Sequence, residues 1–141
     1  MAKVRIVING TKHARDVERP HAARRFLRDG LGLAEYAVGC DTTQCGCCTV
    51  HINGRAVKSC TVLAAQANSA DVRDDRGMAK DGKLHPIQQR VLGMPRPAMR
   101  LLPGMIMATA GLLKDNRIRP RTRSSTGWKA TSAAAPATST S

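Results

Sequence analysis

The feature that most constrains this chain is a set of closely spaced cysteines between Gly39 and Cys60. Cys40, Cys45 and Cys48 follow the spacing C-x4-C-x2-C, and Cys60 comes after eleven further residues. Three thiols this close in sequence can meet around one centre only if the backbone folds into a tight loop. The fourth thiol must then come from a neighbouring element. We therefore expect an irregular ligand-binding loop here, with regular structure on either side.

The spacing is typical of plant-type [2Fe–2S] centres, in which four cysteine thiolates hold two iron ions. We predict that the iron ligands are Cys40, Cys45, Cys48 and Cys60. Gly39 and Gly46 are predicted to be cofactor-binding residues, because glycine accepts positive φ and lets backbone amides approach the sulfurs. Amides directed at the sulfurs would offset the negative charge of the centre and tune its potential.

Three other uses of these cysteines have to be considered. Structural zinc favours short pairs of ligands, which are missing from the second half of the pattern. Disulfides are expected in secreted proteins, and the residues after Met1 do not form the apolar core of a secretory signal. Cys47 breaks the ligand spacing, so we interpret it as a spare thiol. The iron–sulfur interpretation explains the largest part of the pattern.

Charge and length limit the other classes of function. The 141 residues carry a formal net charge of +13 and only 2% aromatic residues. From Arg90 onward nine basic residues face one acidic residue, so most of the excess lies in the second half. Trp128 is the only aromatic residue there, and no nucleic-acid-binding motif is present. We predict no nucleic-acid partner, no membrane span, no catalytic residue and a cytoplasmic location.

The first half has the pattern of a small sheet crossed by a helix. Asn9-Gly10 and Asn53-Gly54 are hairpin signals, each between two β-rich runs. An apolar face at helical spacing follows the first hairpin and ends near Gly30 or Gly32. We predict strands at residues 4–8, 11–17, 49–52 and 55–58 and a helix at 21–33. This combination predicts the α+β fold class, with an N-terminal β-grasp, ferredoxin-like domain.

The second half has a weaker pattern. Helices are predicted at residues 84–91 and 105–113, with Pro103 suited to a helix start. The composition beyond Arg117 is dominated by Arg, Pro, Ser, Thr and Ala and predicts a disordered tail. We predict three parts: a [2Fe–2S] ferredoxin-type domain at 1–77, a remnant of a helical [2Fe–2S]-binding domain at 78–116, and a tail at 117–141.

These residues resemble the small iron–sulfur subunit of the molybdenum hydroxylase (xanthine dehydrogenase) family. The resemblance rests on the cysteine loop with its flanks, on H-P-I-Q-Q starting at His85, and on P-G-M-I-M starting at Pro103. Within the family, the sequence resembles the carbon monoxide dehydrogenase small chain. The resemblance implies a first cluster in the ferredoxin-like domain and a second in an all-α, four-helix domain. The subunit is not catalytic alone.

The resemblance also implies partners. Members of the family assemble with a molybdopterin-binding large subunit and an FAD-binding medium subunit, as a heterotrimer that dimerises. Electrons pass from molybdenum through the two clusters to FAD. The substrate is bound by the large subunit, so this chain alone cannot indicate it. A free-standing ferredoxin-like electron carrier and an inactive single-cluster paralogue are the alternatives.

One departure from the family needs an explanation. The second cluster requires four more cysteines, and no cysteine follows Cys60. A permitted coding of residues 127–141, read from its third base, gives Leu-Glu-Gly-Asn-Leu-Cys-Arg-Cys-Thr-Gly-Tyr. A permitted coding of residues 91–102, read from its second base, gives Gly-Leu-Gln-Cys-Gly-Phe-Cys at its end. We therefore hypothesise a frameshift in both segments, with the frame restored between Pro103 and about Asn116.

Overall fold

The computed structural model of the chain describes residues 2–17, 21–34, 36–40, 42–93 and 101–115. The predicted tail at 117–141, which includes Trp128, lies outside these residues. So does most of residues 91–102, one of the two hypothetical frameshift segments. None of the helices within the described ranges is long and apolar enough to cross a membrane.

Two hairpins form where the sequence predicts them. β1 (Ala2–Ile8) pairs antiparallel with β2 (Thr11–Val17), and β3 (Thr49–Ile52) pairs antiparallel with β4 (Arg55–Lys58). Both turns place an Asn-Gly pair at positive φ, at 49° and 87° in the first hairpin and 50° and 81° in the second. Such turns match the right-handed twist of the strands.

A fifth strand joins the two hairpins into one sheet. β5 (Asp71–Arg73) lies parallel to β1 and antiparallel to β3, which gives the strand order β2-β1-β5-β3-β4. This mixed sheet with a crossing helix is the predicted α+β arrangement. β5 is not predicted from the sequence, because it has three residues and Val72 is its only apolar side chain.

The crossing helix is shorter than predicted, and its second part is a π-helix. α1 (Ala23–Arg25) continues directly into one π-helical stretch (Phe26–Gly30). The residue before it, Ala22, is extended and forms a bridge with Leu63, so the helix cannot begin at residue 21. Phe26 and Leu27 point into the main core, and the apolar side chains of the sheet surround them. This core includes Val4, Ile6, Ile8, Val17, Val50 and Val72.

In the described part of the chain two further helices follow β5. A 3₁₀ turn (Asp75–Met78) leads to α2 (Pro86–Leu92), and α3 (Leu102–Asp115) is the longest helix of this part. His85 and Gln88 form a capping box at the start of α2, which explains this end of the H-P-I-Q-Q stretch. A second, smaller core joins α2 and α3 through Val91, Leu102, Ile106 and Met107.

The second core does not stand apart from the sheet. His51 Nε2 on β3 lies 2.8 Å from the carbonyl oxygen of Met107, and Lys114 donates to the carbonyl of Gly54 at 2.9 Å. Helix α3 therefore lies against the β3–β4 hairpin as well as against α2. The predicted division at residue 77 stays a prediction.

Candidate iron–sulfur site

Two elements fix the backbone of the cysteine loop. The Arg24 guanidinium on α1 donates to the Cys40 carbonyl at 2.9 Å. The Lys58 ammonium on β4 donates to the Thr43 carbonyl at 2.6 Å. Thr43 itself has φ of 62°, an unusual conformation for a β-branched residue that these contacts help to maintain.

The fourth predicted ligand is brought to the loop by the hairpin. Ser59 is fully buried, and both its amide (3.1 Å) and its hydroxyl (2.8 Å) donate to the Cys48 carbonyl. This double contact ties the end of β4 to the start of β3, so Cys60 lies beside Cys48. Cys60 thus follows β4, an element that neighbours the loop, as the sequence predicts.

The five thiols lie together but are not equivalent. Cys45, Cys47 and Cys48 are buried, whereas Cys40 and Cys60 are half-buried, and all five are free. Burial, together with hydrogen bonding to and charge on neighbouring Cys48, raises the pKa of Cys60 to about 11. Burial and contact with Cys45 raise the pKa of Cys47 to about 12. The pKa of each of these two thiols therefore depends on a neighbouring cysteine.

Several backbone amides point at the Cys40 sulfur. The Cys45 amide donates to Cys40 Sγ at 3.4 Å. This hydrogen bond, with others from the Cys45 thiol and the amides of Thr42 and Gln44, lowers the pKa of Cys40 to about 6. Amide donors that favour a thiolate are the environment that an iron-binding cysteine requires.

The two predicted glycines act in different ways. Gly46 has φ of 70°, as expected for a tight turn between Cys45 and Cys47. Gly39 does not have positive φ, so that part of the prediction is wrong for it. Its role is to leave space. A Cβ at Gly39 would lie 2.8 Å from Cys47 Sγ and 2.9 Å from Cys45 Sγ, so two sulfurs occupy the volume of a side chain.

Helix α3 covers the other side of the loop. A Cβ at Gly104 would lie 2.2 Å from the Gly46 carbonyl oxygen and 2.7 Å from Cys47 Cα. The helix backbone therefore rests directly on the loop backbone at Gly46 and Cys47. This contact explains why a glycine follows Pro103, a role for Gly104 that no pattern in the sequence indicates.

A buried polar network lies next to the loop and was also missed from the sequence. The Asp74 carboxylate accepts from the Tyr36 hydroxyl at 2.8 Å and from the Asn9 amide at 2.7 Å, and it forms an ion pair with Arg76. Burial and the charge of Asp74 raise the pKa of Tyr36 far above its ordinary value. Tyr36 begins the segment that leads into the cysteine loop. Tyr36 is the only tyrosine in the chain, and this is the one feature of the sequence that points to the network.

The donor set fits a [2Fe–2S] cluster in chemical type. Cysteine sulfurs, amides directed at one of them and a glycine that makes room for two are all present at the site. Among the described residues, no three His, Cys, Asp or Glu side chains converge closely enough to hold a single metal ion. The individual ligand roles of the four cysteines therefore stay predictions.

No protein-family model matches the chain. The nicotinate dehydrogenase small FeS subunit of Eubacterium barkeri is 34% identical over 119 residues, 82% of this chain and 76% of that subunit. The 6-hydroxypseudooxynicotine dehydrogenase complex subunit beta of Paenarthrobacter nicotinovorans is 45% identical over 87 residues, 62% of this chain and 54% of that subunit. The xanthine dehydrogenase iron-sulfur-binding subunit of Escherichia coli O157:H7 is 39% identical over 92 residues, 64% of this chain and 58% of that subunit. The chain thus spans little more than half the length of the last two relatives.

Two solved structures are also similar to this chain over most of its length. Quinoline 2-oxidoreductase from Pseudomonas putida 86 matches 92% of this chain and 80% of its own matched chain, with a TM-score of 0.79 and 27% identity. The aldehyde oxidoreductase from Desulfovibrio gigas matches 93% of this chain with a TM-score of 0.80 and 29% identity, although the match covers only 15% of that longer chain.

Proposed function

This chain belongs to the family of small iron–sulfur subunits of the molybdenum hydroxylases, and from that membership we propose that it carries electrons inside such an enzyme. The [2Fe–2S] cofactor that the cysteine spacing predicts is the cofactor of this family. A [2Fe–2S] cluster, when bound, accepts and releases one electron at a time. The chain is therefore a subunit of an oxidoreductase, and we propose that it has no catalytic residue of its own.

The observation that carries the proposal is the arrangement of thiols. We propose that the ligands are Cys40, Cys45, Cys48 and Cys60. In support, the Arg24 and Lys58 contacts set the loop backbone, and the Ser59 contact to the Cys48 carbonyl holds the end of β4, which precedes Cys60, against the loop. Gly39 and Gly46 give the room and the turn that the loop needs.

The proposed partners are a molybdopterin-binding large subunit and an FAD-binding medium subunit, in a cytoplasmic heterotrimer that dimerises. In this arrangement the chain receives electrons from the large subunit and delivers them to the flavin. The names of the relatives support subunits of multi-component dehydrogenases, since one is called a complex subunit and another a small subunit.

The finer assignment is the substrate of the complex. The sequence resemblance favours carbon monoxide. The relatives reported above are named for nicotinate, xanthine and 6-hydroxypseudooxynicotine, which favours a nitrogen-containing aromatic ring as the second candidate. Dye reduction by the complex purified from the native host, with carbon monoxide, nicotinate and xanthine in parallel, decides between these two classes.

The test of the proposed site is the cofactor content of the full chain. We expect two iron and two labile sulfide per chain, a visible absorption spectrum, and an EPR signal on reduction. Cys48→Ala is expected to lose the cluster, whereas Cys47→Ala, one position away, retains it. A colourless protein that contains zinc, or loss of the cluster only in Cys47→Ala, would contradict the proposed ligand set.

We also propose that the three-part division and the frameshift apply to the natural protein. Residues 1–77 form the ferredoxin-type domain, 78–116 the remnant of a helical domain, and 117–141 a tail read out of frame. The support is that both missing cysteine motifs reappear in other frames where the family requires them. Mass spectrometry of the native protein should find peptides with Gly-Leu-Gln-Cys-Gly-Phe-Cys and Asn-Leu-Cys-Arg-Cys-Thr-Gly-Tyr. Peptides that match residues 116–129 as printed would instead support a single-cluster paralogue or a free-standing carrier.

A further inference from the structure

Cys47 is a fifth thiol inside the loop, and the proposed ligand set does not use it. Its side chain is buried, and its Sγ lies 3.2 Å from Cys45 Sγ and 3.4 Å from the Ala37 carbonyl oxygen. Gly39 closes the third side, since even a methyl group there would collide with both sulfurs. The thiol of Cys47 is therefore confined between one proposed iron ligand and one backbone carbonyl.

The direction of the sulfur–sulfur contact depends on the state of Cys45. While both side chains are protonated, either thiol can donate to the other across this 3.2 Å contact. A cysteine that ligates iron does so as a thiolate, which has lost its proton and can only accept. The same short contact then requires Cys47 to be the donor. Of its two possible acceptors, the charged thiolate is preferred over the neutral carbonyl, because hydrogen bonds to charged groups are stronger.

Resting on the proposed function, we propose that Cys47 donates its S–H to the sulfur of Cys45 and thereby raises the reduction potential of the cluster. Reduction adds negative charge to the cluster and its ligands. A donor aimed at a ligand sulfur stabilises the reduced form more than the oxidised form, and hydrogen bonds to sulfur are one of the means by which proteins set these potentials. Cys47 acts through Cys45 and does not itself bind iron, so it is a positioning residue.

Two substitutions separate hydrogen bonding from packing. Cys47→Ala removes the donor and leaves the backbone and Gly39 unchanged. Cys47→Ser keeps a donor on a side chain of similar shape and slightly smaller volume. If Cys47 only fills space, the two variants should behave alike, because both replace the sulfur with something smaller. If it donates, serine should restore what alanine removes.

The experiment is a redox titration of the full cluster-loaded chain, followed by the EPR signal of the reduced cluster. Iron and sulfide content and the melting temperature are measured alongside. We expect the Cys47→Ala midpoint to shift to lower potential, with two iron per chain, and the Cys47→Ser midpoint to return toward the wild-type value.

Three results would overturn the proposal. Identical midpoints in all three proteins would mean that the thiol donates to Ala37 instead. Equal shifts in both variants would mean that Cys47 acts by packing alone. Loss of the cluster in Cys47→Ala but not in Cys45→Ala would mean that Cys47 is itself the ligand. A wild-type chain that binds no [2Fe–2S] cluster would refute the proposed function as well, so the two failures can be told apart.

Discussion

Replacing Gly104 with alanine should separate helix α3 from the cysteine loop. The added methyl group would lie 2.2 Å from the Gly46 carbonyl oxygen, 2.7 Å from Cys47 Cα and 2.8 Å from the Cys47 carbonyl carbon. All three obstacles are backbone atoms, so no side chain can turn aside to make room. Either the helix or the loop has to move.

The size of the effect follows from two opposing terms. Overpacking a well-packed contact costs about 1–3 kcal/mol, and a backbone obstacle on both sides places this case at the upper end. Alanine is a better helix former than glycine by at most about 1 kcal/mol, which offsets part of the cost. The expected net loss in the free energy of unfolding is therefore about 2 kcal/mol, or roughly 6–10 °C in melting temperature for a chain of this size.

Urea unfolding of the full chain measures this loss, with Gly93→Ala as the matched control. A Cβ at Gly93 meets nothing closer than the Gln89 carbonyl oxygen at 3.4 Å, so the control should stay within about 0.5 kcal/mol of the wild type. The Gly104→Ala chain should also bind less iron, since the displaced segment contains Gly46 and Cys47. A Gly104→Ala protein as stable as the control and fully loaded with iron would refute the close approach of α3.

Three further predictions concern the polar network and the cluster. Asp74→Ala should lower the free energy of unfolding by about 1–3 kcal/mol, because the Tyr36 hydroxyl and the Asn9 amide lose their buried acceptor. The Arg76 side chain is 43% exposed, so its ion pair with Asp74 adds little to this loss. An unchanged free energy in urea unfolding would contradict the burial of the network. Burial, and then the charge of Asp74, raises the pKa of Asp75 above its ordinary value of 3.8. The folded chain therefore binds this proton more tightly than the unfolded chain does. Its stability falls as the pH rises through the folded-state pKa. Asp75→Asn should therefore be more stable than the wild type at pH 7 and lose this advantage below about pH 4, whereas a constant difference across that range would contradict the assignment. Cys60→Ala should abolish cluster binding. The melting temperature of the wild-type chain should fall when an iron chelator is added under reducing conditions, whereas that of Cys60→Ala should stay the same.

The sequence was sufficient to predict the parts of the fold that depend on local signals. Asn9-Gly10 and Asn53-Gly54 specify their turns through positive φ, and the strands beside them form close to the predicted bounds. The start of α2 follows from Pro86 and from the capping box of His85 and Gln88. Each of these features depends on residues within a few positions of one another, so it can be read without knowledge of the tertiary structure.

The parts that could not be predicted depend on contacts between distant residues. β5 is a strand because Val72 fits between β1 and β3, and its three residues carry no period that would indicate this in isolation. The Asp74 carboxylate is buried because Tyr36 and Asn9 reach it from 38 and 65 residues away in the chain. Gly39 was assigned the wrong reason, since its small size is required by two sulfurs and not by its backbone angle.

The packing of the loop has a consequence for how the chain is divided. Arg24 and Lys58, which fix the Cys40 and Thr43 carbonyls, both belong to the predicted ferredoxin-type part. Gly104, which lies against Gly46 and Cys47, belongs to the helical part and follows the point where the reading frame is proposed to recover. The loop that carries three of the four proposed ligands is therefore held between the two parts. The backbone around Cys47 packs against Gly104, which lies beyond the predicted division at residue 77. Damage to the helical part therefore extends to the cysteine loop.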